Sequence, residues 1–366
     1  MYFGLSEEQK SLEESITKYL EANAPLETIK AVADGETEKA KDIHQGLVDL
    51  GISGLMVPEQ YGGLELDTLF AAVVAGALGA GTAPSPYTGS YVMAPLALSL
   101  AGSDTQKDNW LPKIAGGEAV IGIGLSEYVG AREDAGINFS EGRVSGRSLF
   151  VIDGKDADAF ILANKSGQLF LVEAAASGIE VTDLTTVDKT RDSIELVLKD
   201  VSAELLPGSK SDIGVINKVI DTGRLMLSAD TVGASQVMLD KAVAYSLERK
   251  QFSKPIAGYQ LTQAKFAEMI TQITMAQLTV YQLGRLKDSG KMRFDQVSLA
   301  KRNHCQMARD VARTCREILG GNGIMEDYSP MRHMTNIETV FTYEGTHEMH
   351  SLILGQSVTG LAAYDS

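Results

Sequence analysis

The sequence predicts a mainly α-helical protein with a small β domain in its middle. Apolar residues recur at helical spacing from residue 6 to about 118, and again from about 212 onward. Between these stretches lie short apolar runs split by Gly, Asn and Asp, the pattern of strands and turns. The chain has 366 residues, enough for two or three domains and a large core. The expected layout is an N-terminal helical domain (1–118), a small β-barrel-like domain (119–208) and a C-terminal four-helix bundle (209–366).

Taken in order, Ser6 and Gln9 have capping-box spacing and precede Leu12, Ile16 and Leu20, which predicts a helix over 6–22. The glycines and proline of residues 49–67 read as a loop. Small-residue-rich helices are expected at Asp67–Leu78 and Tyr91–Leu100, broken by Gly81–Pro86, with another at Asp104–Ile114 ended by a glycine pair. Strands are expected around Val144, at Phe150–Ile152, Phe160–Leu162, Leu169–Val172 and Ser193–Leu198, with a hairpin turn at Asn164–Gly167. Beyond Asp212, one helix runs toward Arg249, and others occupy roughly 260–288, 294–319 and 329–362.

A formal net charge of −15 argues against nucleic acid or an anionic membrane as main partner, though local basic residues could still hold a polyanion. Cys305 and Cys315 are too few for a disulfide framework and fit a reducing compartment. The acidic, amphipathic N-terminus is unlike a signal peptide and no apolar run has the length of a membrane span, so a cytoplasmic location is expected.

The chemistry concentrates in Asn336–Gly355, around Tyr343-Glu344-Gly345-Thr346. Glu344 lies in an otherwise apolar run with Val340, Phe341, Met349 and Leu352. Burial disfavours an ionised carboxylate and makes it a stronger base. Spacing alone leaves a second reading, a carboxylate at a helix start with Thr346 and His347 in the first turn. His347 and His350 are three apart, whereas a zincin pair needs four, so no metal is expected.

This stretch resembles the active-site segment of the acyl-CoA dehydrogenases, where the glutamate of a YEGT tetrad is the catalytic base; its continuation is most similar to glutaryl-CoA dehydrogenases. The resemblance covers essentially the whole chain and implies that family's fold: helical domain, β domain, helical bundle. Arg249–Ile256 with Tyr259-Gln260 resembles the family motif that binds FAD, which implies cofactor roles for Arg249 on the pyrophosphate and for Phe252 and Gln260 beside it. On spacing alone the same residues read as a solvated basic helix end. Glu317–Gly323 resembles the QxxGGxG motif that approaches the dinucleotide of a neighbouring subunit, implying roles for Gly320 and Gly321; the family usually has glutamine where Glu317 stands. A bare glycine pair there also reads as a helix cap and turn. Arg224 corresponds to the family's active-site arginine, and the resemblance places it with Tyr343 and Gly345 near the substrate, and Thr346 near the cofactor.

The β domain departs from the family. Ser126 can replace the usual flavin-contacting threonine, but the small-residue turn after it is lost, and Ile152 stands where the family has a threonine facing flavin N5. The implied reaction is FAD-dependent α,β-dehydrogenation of an acyl-CoA thioester, with Glu344 taking the α-proton and hydride passing to flavin N5. An electron-transfer flavoprotein is the implied acceptor. The alternative is a non-catalytic or half-site subunit that completes a partner's FAD site in a heteromeric acyl-CoA dehydrogenase. A homotetramer or heterotetramer is implied accordingly. Thr82–Met93, the pocket segment by resemblance, contains no cation for a glutarate tail, which favours a bulky or cyclic acyl group, as in lipid or steroid catabolism.

Overall fold

The computed structural model describes residues 4–125, 134–210 and 212–363. The first helices are α1 (Glu7–Asn23), α2 (Leu26–Ala33), α3 (Thr37–Asp49), α4 (Thr68–Gly81), α5 (Ala94–Ala101) and α6 (Asp104–Ala115). The capping box at the head of α1 is formed: Gln9 N–H donates to Ser6 Oγ at 3.2 Å, and Ser6 N–H to Gln9 Oε1 at 2.9 Å. The sequence reading did not assign α2 and α3, of 8 and 13 residues, which follow Pro25 and Gly35. The helix expected from Tyr91 begins as a π-helical turn over Tyr87–Met93. Asp153 Oδ2 accepts the Gly89 and Ser90 N–H groups of that turn at 2.9 and 3.1 Å.

The strands are β1 (Ile121–Gly124), β2 (Gly136–Ser140), β3 (Arg143–Ile152), β4 (Ala159–Ala163), β5 (Leu169–Glu173), β6 (Ile179–Asp183), β7 (Ser193–Ser202) and β8 (Glu204–Leu205). They form one sheet in the order β6-β7-β3-β1-β4-β5-β8, with β2 paired to β3. The β4–β5 hairpin closes at the expected turn, where Asn164 Oδ1 accepts the N–H groups of Ser166 and Gln168. Phe160, Leu162, Phe170, Val172, Ile194 and Leu196 are buried on the sheet, each aromatic adding roughly 2–3 kcal/mol through burial.

The remaining helices are α7 (Gly214–Glu248), α8 (Gln260–Asp288), α9 (Phe294–Ile318), α10 (Ser329–Thr342) and α11 (His347–Thr359). A two-stranded hairpin, β9 (Lys250–Gln251) and β10 (Lys254–Pro255), joins α7 to α8. The single helix expected over 329–362 is two helices. Glu344 (φ +54°) and Gly345 (φ +101°) leave the helical region, and Thr346 caps α11 by accepting the Met349 N–H. Thr346 is thus the cap, outside the first turn.

By packing the chain forms two compact units. One gathers α1, α2, α4, α8–α11 and α7 from Arg224 onward; the other gathers α3 from Ala40, α5, α6, the eight-stranded sheet and the start of α7. In the first, α4 and α7 cross at backbone distance. A Cβ on Gly233 would stand 1.9 Å from the Gly76 carbonyl oxygen, and one on Gly79 2.3 Å from that of Asp230. Only glycine permits this approach, which fixes the course of α7 just beyond Arg224.

Candidate active site

The loop between α10 and α11 is held by cations from two other helices. Arg224, on α7, donates its Nε–H to the Glu344 carbonyl at 3.0 Å. Lys301, on α9, is 1% exposed, and its ammonium reaches the carbonyls of Val340, Tyr343 and Gly345 at 2.8, 2.7 and 3.0 Å. The last carbonyls of α10 lack helical partners and carry the negative end of its dipole, so a cation there is favourable. Burial pulls the Lys301 ammonium below its ordinary pKa and Arg224 adds to this, while Cys305 and the Glu344 carboxylate oppose it.

Both carboxylate oxygens of Glu344 are shielded from solvent. Leu227, Cys305, Val340, Phe341 and Tyr343 form an apolar cluster beside the loop. Below Gly345 lies His350, wholly buried, its pKa driven down to about 3 by burial and then by Arg224 and Lys301. A neutral imidazole therefore backs the tetrad. His347 stacks on Phe341 with ring centroids 5.3 Å apart, and Arg309 covers the same ring at 4.1 Å. Among the described residues no His, Cys, Asp and Glu group has the arrangement of a metal site.

A second set of expected residues gathers at the far end of the bundle. Arg249 follows α7 and is exposed, its backbone closing the β9–β10 corner through the Ile256 N–H. Phe252 and Ser253 form the hairpin tip with φ +48° and +70°, a left-handed pair that usually requires Asn-Gly. Phe252 is 90% exposed. Gln260 starts α8, exposed, and Lys265, one turn further, bonds Glu317 at the end of α9 at 2.9 Å. That bond holds the Glu317 carboxyl below its usual pKa and balances its charge. Beyond it, Gly320 (φ +59°) and Gly321 face open space, with nothing within 4 Å of an added Cβ.

The structure thus brings Arg224, Tyr343, Glu344, Gly345 and Thr346 together, and separately gathers Arg249, Phe252, Gln260, Glu317, Gly320 and Gly321. Ser126 lies outside the described residues. Sequence reasoning missed Lys301 and the packing role of His350. The signal for Lys301 was present: it sits on the face of α9 otherwise built from Val297, Ala300, His304, Cys305, Ala308 and Val311, all buried. A lysine at such a position needs partners.

Family models for the acyl-CoA dehydrogenase N-terminal and C-terminal domains match residues 6–118 and 213–359. The chain belongs to the acyl-CoA dehydrogenase family. It is an oxidoreductase whose family uses FAD and acts on acyl-CoA. A 3-(aryl)acrylate reductase of Clostridium sporogenes (strain ATCC 15579) is 27% identical, over 92% of this chain and 95% of its own. A glutaryl-CoA dehydrogenase of Mycobacterium smegmatis, solved with FADH2, superposes with a TM-score of 0.89 at 27% identity, covering 99% of this chain and 97% of that one. The ChsE4-ChsE5 complex of Mycobacterium tuberculosis shares the fold, with a TM-score of 0.87 at 23% identity over 99% of this acyl-CoA dehydrogenase and 100% of that chain. Among the described residues no helix is long and apolar enough to cross a membrane.

Proposed function

We propose that this enzyme catalyses α,β-dehydrogenation of an acyl-CoA thioester with Glu344 as the base. The observation that carries this is the shielded Glu344 carboxylate on a left-handed backbone, its peptide gripped by Arg224. A non-glycine residue in that conformation costs about 1–2 kcal/mol, which the Arg224 bond to its carbonyl helps to offset. The Glu344 carboxylate takes the α-proton, and the backbone N–H of Glu344 donates to the thioester oxygen as negative charge develops there. When bound, FAD supplies the acceptor for the hydride that leaves the β-carbon. The product is a 2,3-enoyl-CoA, with the proton on Glu344.

The far cluster fits a dinucleotide: Arg249 offers a free planar fork to a pyrophosphate, Phe252 a bare ring, and Gly320 and Gly321 an open backbone approach. Arg224 and Arg249 are separated by roughly 37 Å of α7, at ~1.5 Å per residue. That span is too great for both to serve one cofactor. It supports FAD sites shared between subunits, Arg249 of one chain completing the site whose base belongs to another. Homotetrameric and heterotetrameric assemblies both satisfy this. Ile152, which has no hydroxyl for a flavin ring, favours the second reading, in which an unlike partner supplies the missing contacts.

The acyl group is proposed to be bulky and uncharged. Thr82–Met93 contains no Lys or Arg, and His44, bonded to Tyr91 at 2.6 Å, is held below its usual pKa by burial and supplies no cation. The kinship to an aryl-acrylate reductase supports a 3-arylpropionyl thioester as one candidate. We further propose a soluble electron-transfer flavoprotein as acceptor and a cytoplasmic setting.

The test uses purified protein, alone and with any subunit that co-purifies. It is incubated with butyryl-, isovaleryl-, glutaryl- or 3-phenylpropionyl-CoA and a one-electron acceptor, and the product is weighed by mass spectrometry. Loss of two hydrogens is expected, strongest for the uncharged branched or aryl substrates. Addition of water, or no reaction with any of them, contradicts the proposal.

A further inference from the structure

Three successive peptide groups run from Tyr343 to Thr346, and each has its carbonyl oxygen held. Lys301 holds that of Tyr343 at 2.7 Å and that of Gly345 at 3.0 Å, while Arg224 holds that of Glu344 at 3.0 Å. A trans peptide is planar, with its C=O and N–H pointing in opposite directions. The bond from Lys301 to the Tyr343 carbonyl therefore also aims the N–H of Glu344, which belongs to the same peptide. The bond to the Gly345 carbonyl fixes the peptide of Gly345 and Thr346 on the other side of Glu344, and the bond to Val340 at 2.8 Å ties both to the end of α10.

We propose that Lys301 is the positioning residue of the active site: one buried ammonium sets both the left-handed conformation of Glu344 and the direction of its N–H. This rests on Glu344 being the base. The chemistry of the side chain suits the task. An ammonium is compact and directs three donors from a single nitrogen, whereas a guanidinium spreads its donors in a plane. On the ammonium, carbonyls from three different peptides converge on a single atom. Burying a lysine is costly, and here the cost is offset by the three carbonyls that its ammonium satisfies. Its retention on an otherwise apolar helix face is explained by a geometric demand at the loop. Cys305, one turn along α9, points its Sγ at the same Val340 carbonyl, 3.7 Å away.

The experiment compares Lys301→Met and Lys301→Arg with wild type and with Glu344→Gln, as FAD-loaded enzyme, on the best substrate among butyryl-, isovaleryl-, glutaryl- and 3-phenylpropionyl-CoA. Thermal midpoint, flavin absorbance, kcat, KM and the isotope effect of α-deuterated substrate are read. Both Lys301 variants should fold and hold flavin, lose roughly 100-fold in kcat, as for a ~1 Å misplacement of a reacting group, and change KM by less than about threefold. The isotope effect should rise as C–H cleavage becomes slower than product release. Met leaves the Val340, Tyr343 and Gly345 carbonyls without their donor and is expected to melt a few degrees below wild type, with Arg between the two.

A kcat within threefold of wild type in either variant overturns the proposal. So does a loss confined to KM. If neither variant is soluble, Lys301 is a folding residue and the proposal also fails. Normal turnover by Glu344→Gln would instead remove the base assignment on which it rests, so the two failures are distinguishable.

Discussion

Replacing Gly345 by alanine should damage catalysis more than stability, and the structure gives the size of the effect. Gly345 has φ +101°, beyond the left-handed helical region, so an L-residue there costs at least the ~1–2 kcal/mol of that region. Its new Cβ would stand 2.8 Å from His350 Nε2 and 3.1 Å from Cε1. His350 is fully buried and has no room to swing aside, which adds about 1–3 kcal/mol of overpacking. Together these give roughly 2–5 kcal/mol of local strain. The loop can relieve it by shifting Glu344, and a displacement of ~1 Å is enough to lower kcat about 100-fold.

Thermal melting, flavin absorbance and turnover would be measured for Gly345→Ala, His350→Ala and the double variant. The double variant removes the clash and leaves the φ cost. The two changes should therefore couple favourably by about 1–3 kcal/mol in stability, with part of kcat recovered. Additive effects, or wild-type turnover by Gly345→Ala, would refute the reasoning.

Two further expectations follow from sites away from the base. Arg249→Ala should weaken FAD retention on gel filtration while added FAD restores kcat, because the guanidinium is roughly 37 Å along α7 from the Arg224 end; Arg249→Lys, which keeps charge but loses the fork, should fall between. Asp153→Asn concerns pH. Burial, and then Asp192, push the Asp153 carboxyl up to about 7 against the Gly89 and Ser90 N–H bonds. A folded pKa above the unfolded one means the folded protein keeps a proton the unfolded chain has lost, so this group's contribution to stability falls as pH rises from about 4 to about 7. Asparagine keeps the accepting oxygen without the charge. Its gain in melting temperature should be larger by roughly 2–5 °C near pH 8 than near pH 5; an equal gain at both would reject the linkage.

The elements with local signatures were readable from the residues alone. The Ser6–Gln9 cap, the Asn164–Gly167 turn and the long amphipathic helices each follow from rules acting within a few positions. The break between α10 and α11 was not, although its glycine was visible, because the bonds that hold it, from Arg224 and Lys301 to the loop carbonyls, come from other helices. That is a tertiary fact. Glu344, Arg249 and Gly320-Gly321 were singled out by motif, whereas Lys301 was passed over because a lysine in a helix reads as surface unless the face it occupies is considered. The separation of Arg249 from the base was implicit in the length of α7, and its meaning emerges only when both ends are placed.

The most direct measurement is turnover by Glu344→Gln in the purified, flavin-loaded protein. The amide keeps shape and burial and cannot take up the α-proton, so kcat should fall by about 100-fold to 10,000-fold while the flavin spectrum and melting temperature stay near wild type. Turnover within tenfold of wild type, with the flavin still bound, would mean that the proton goes elsewhere and that the loop between α10 and α11 is not the active site.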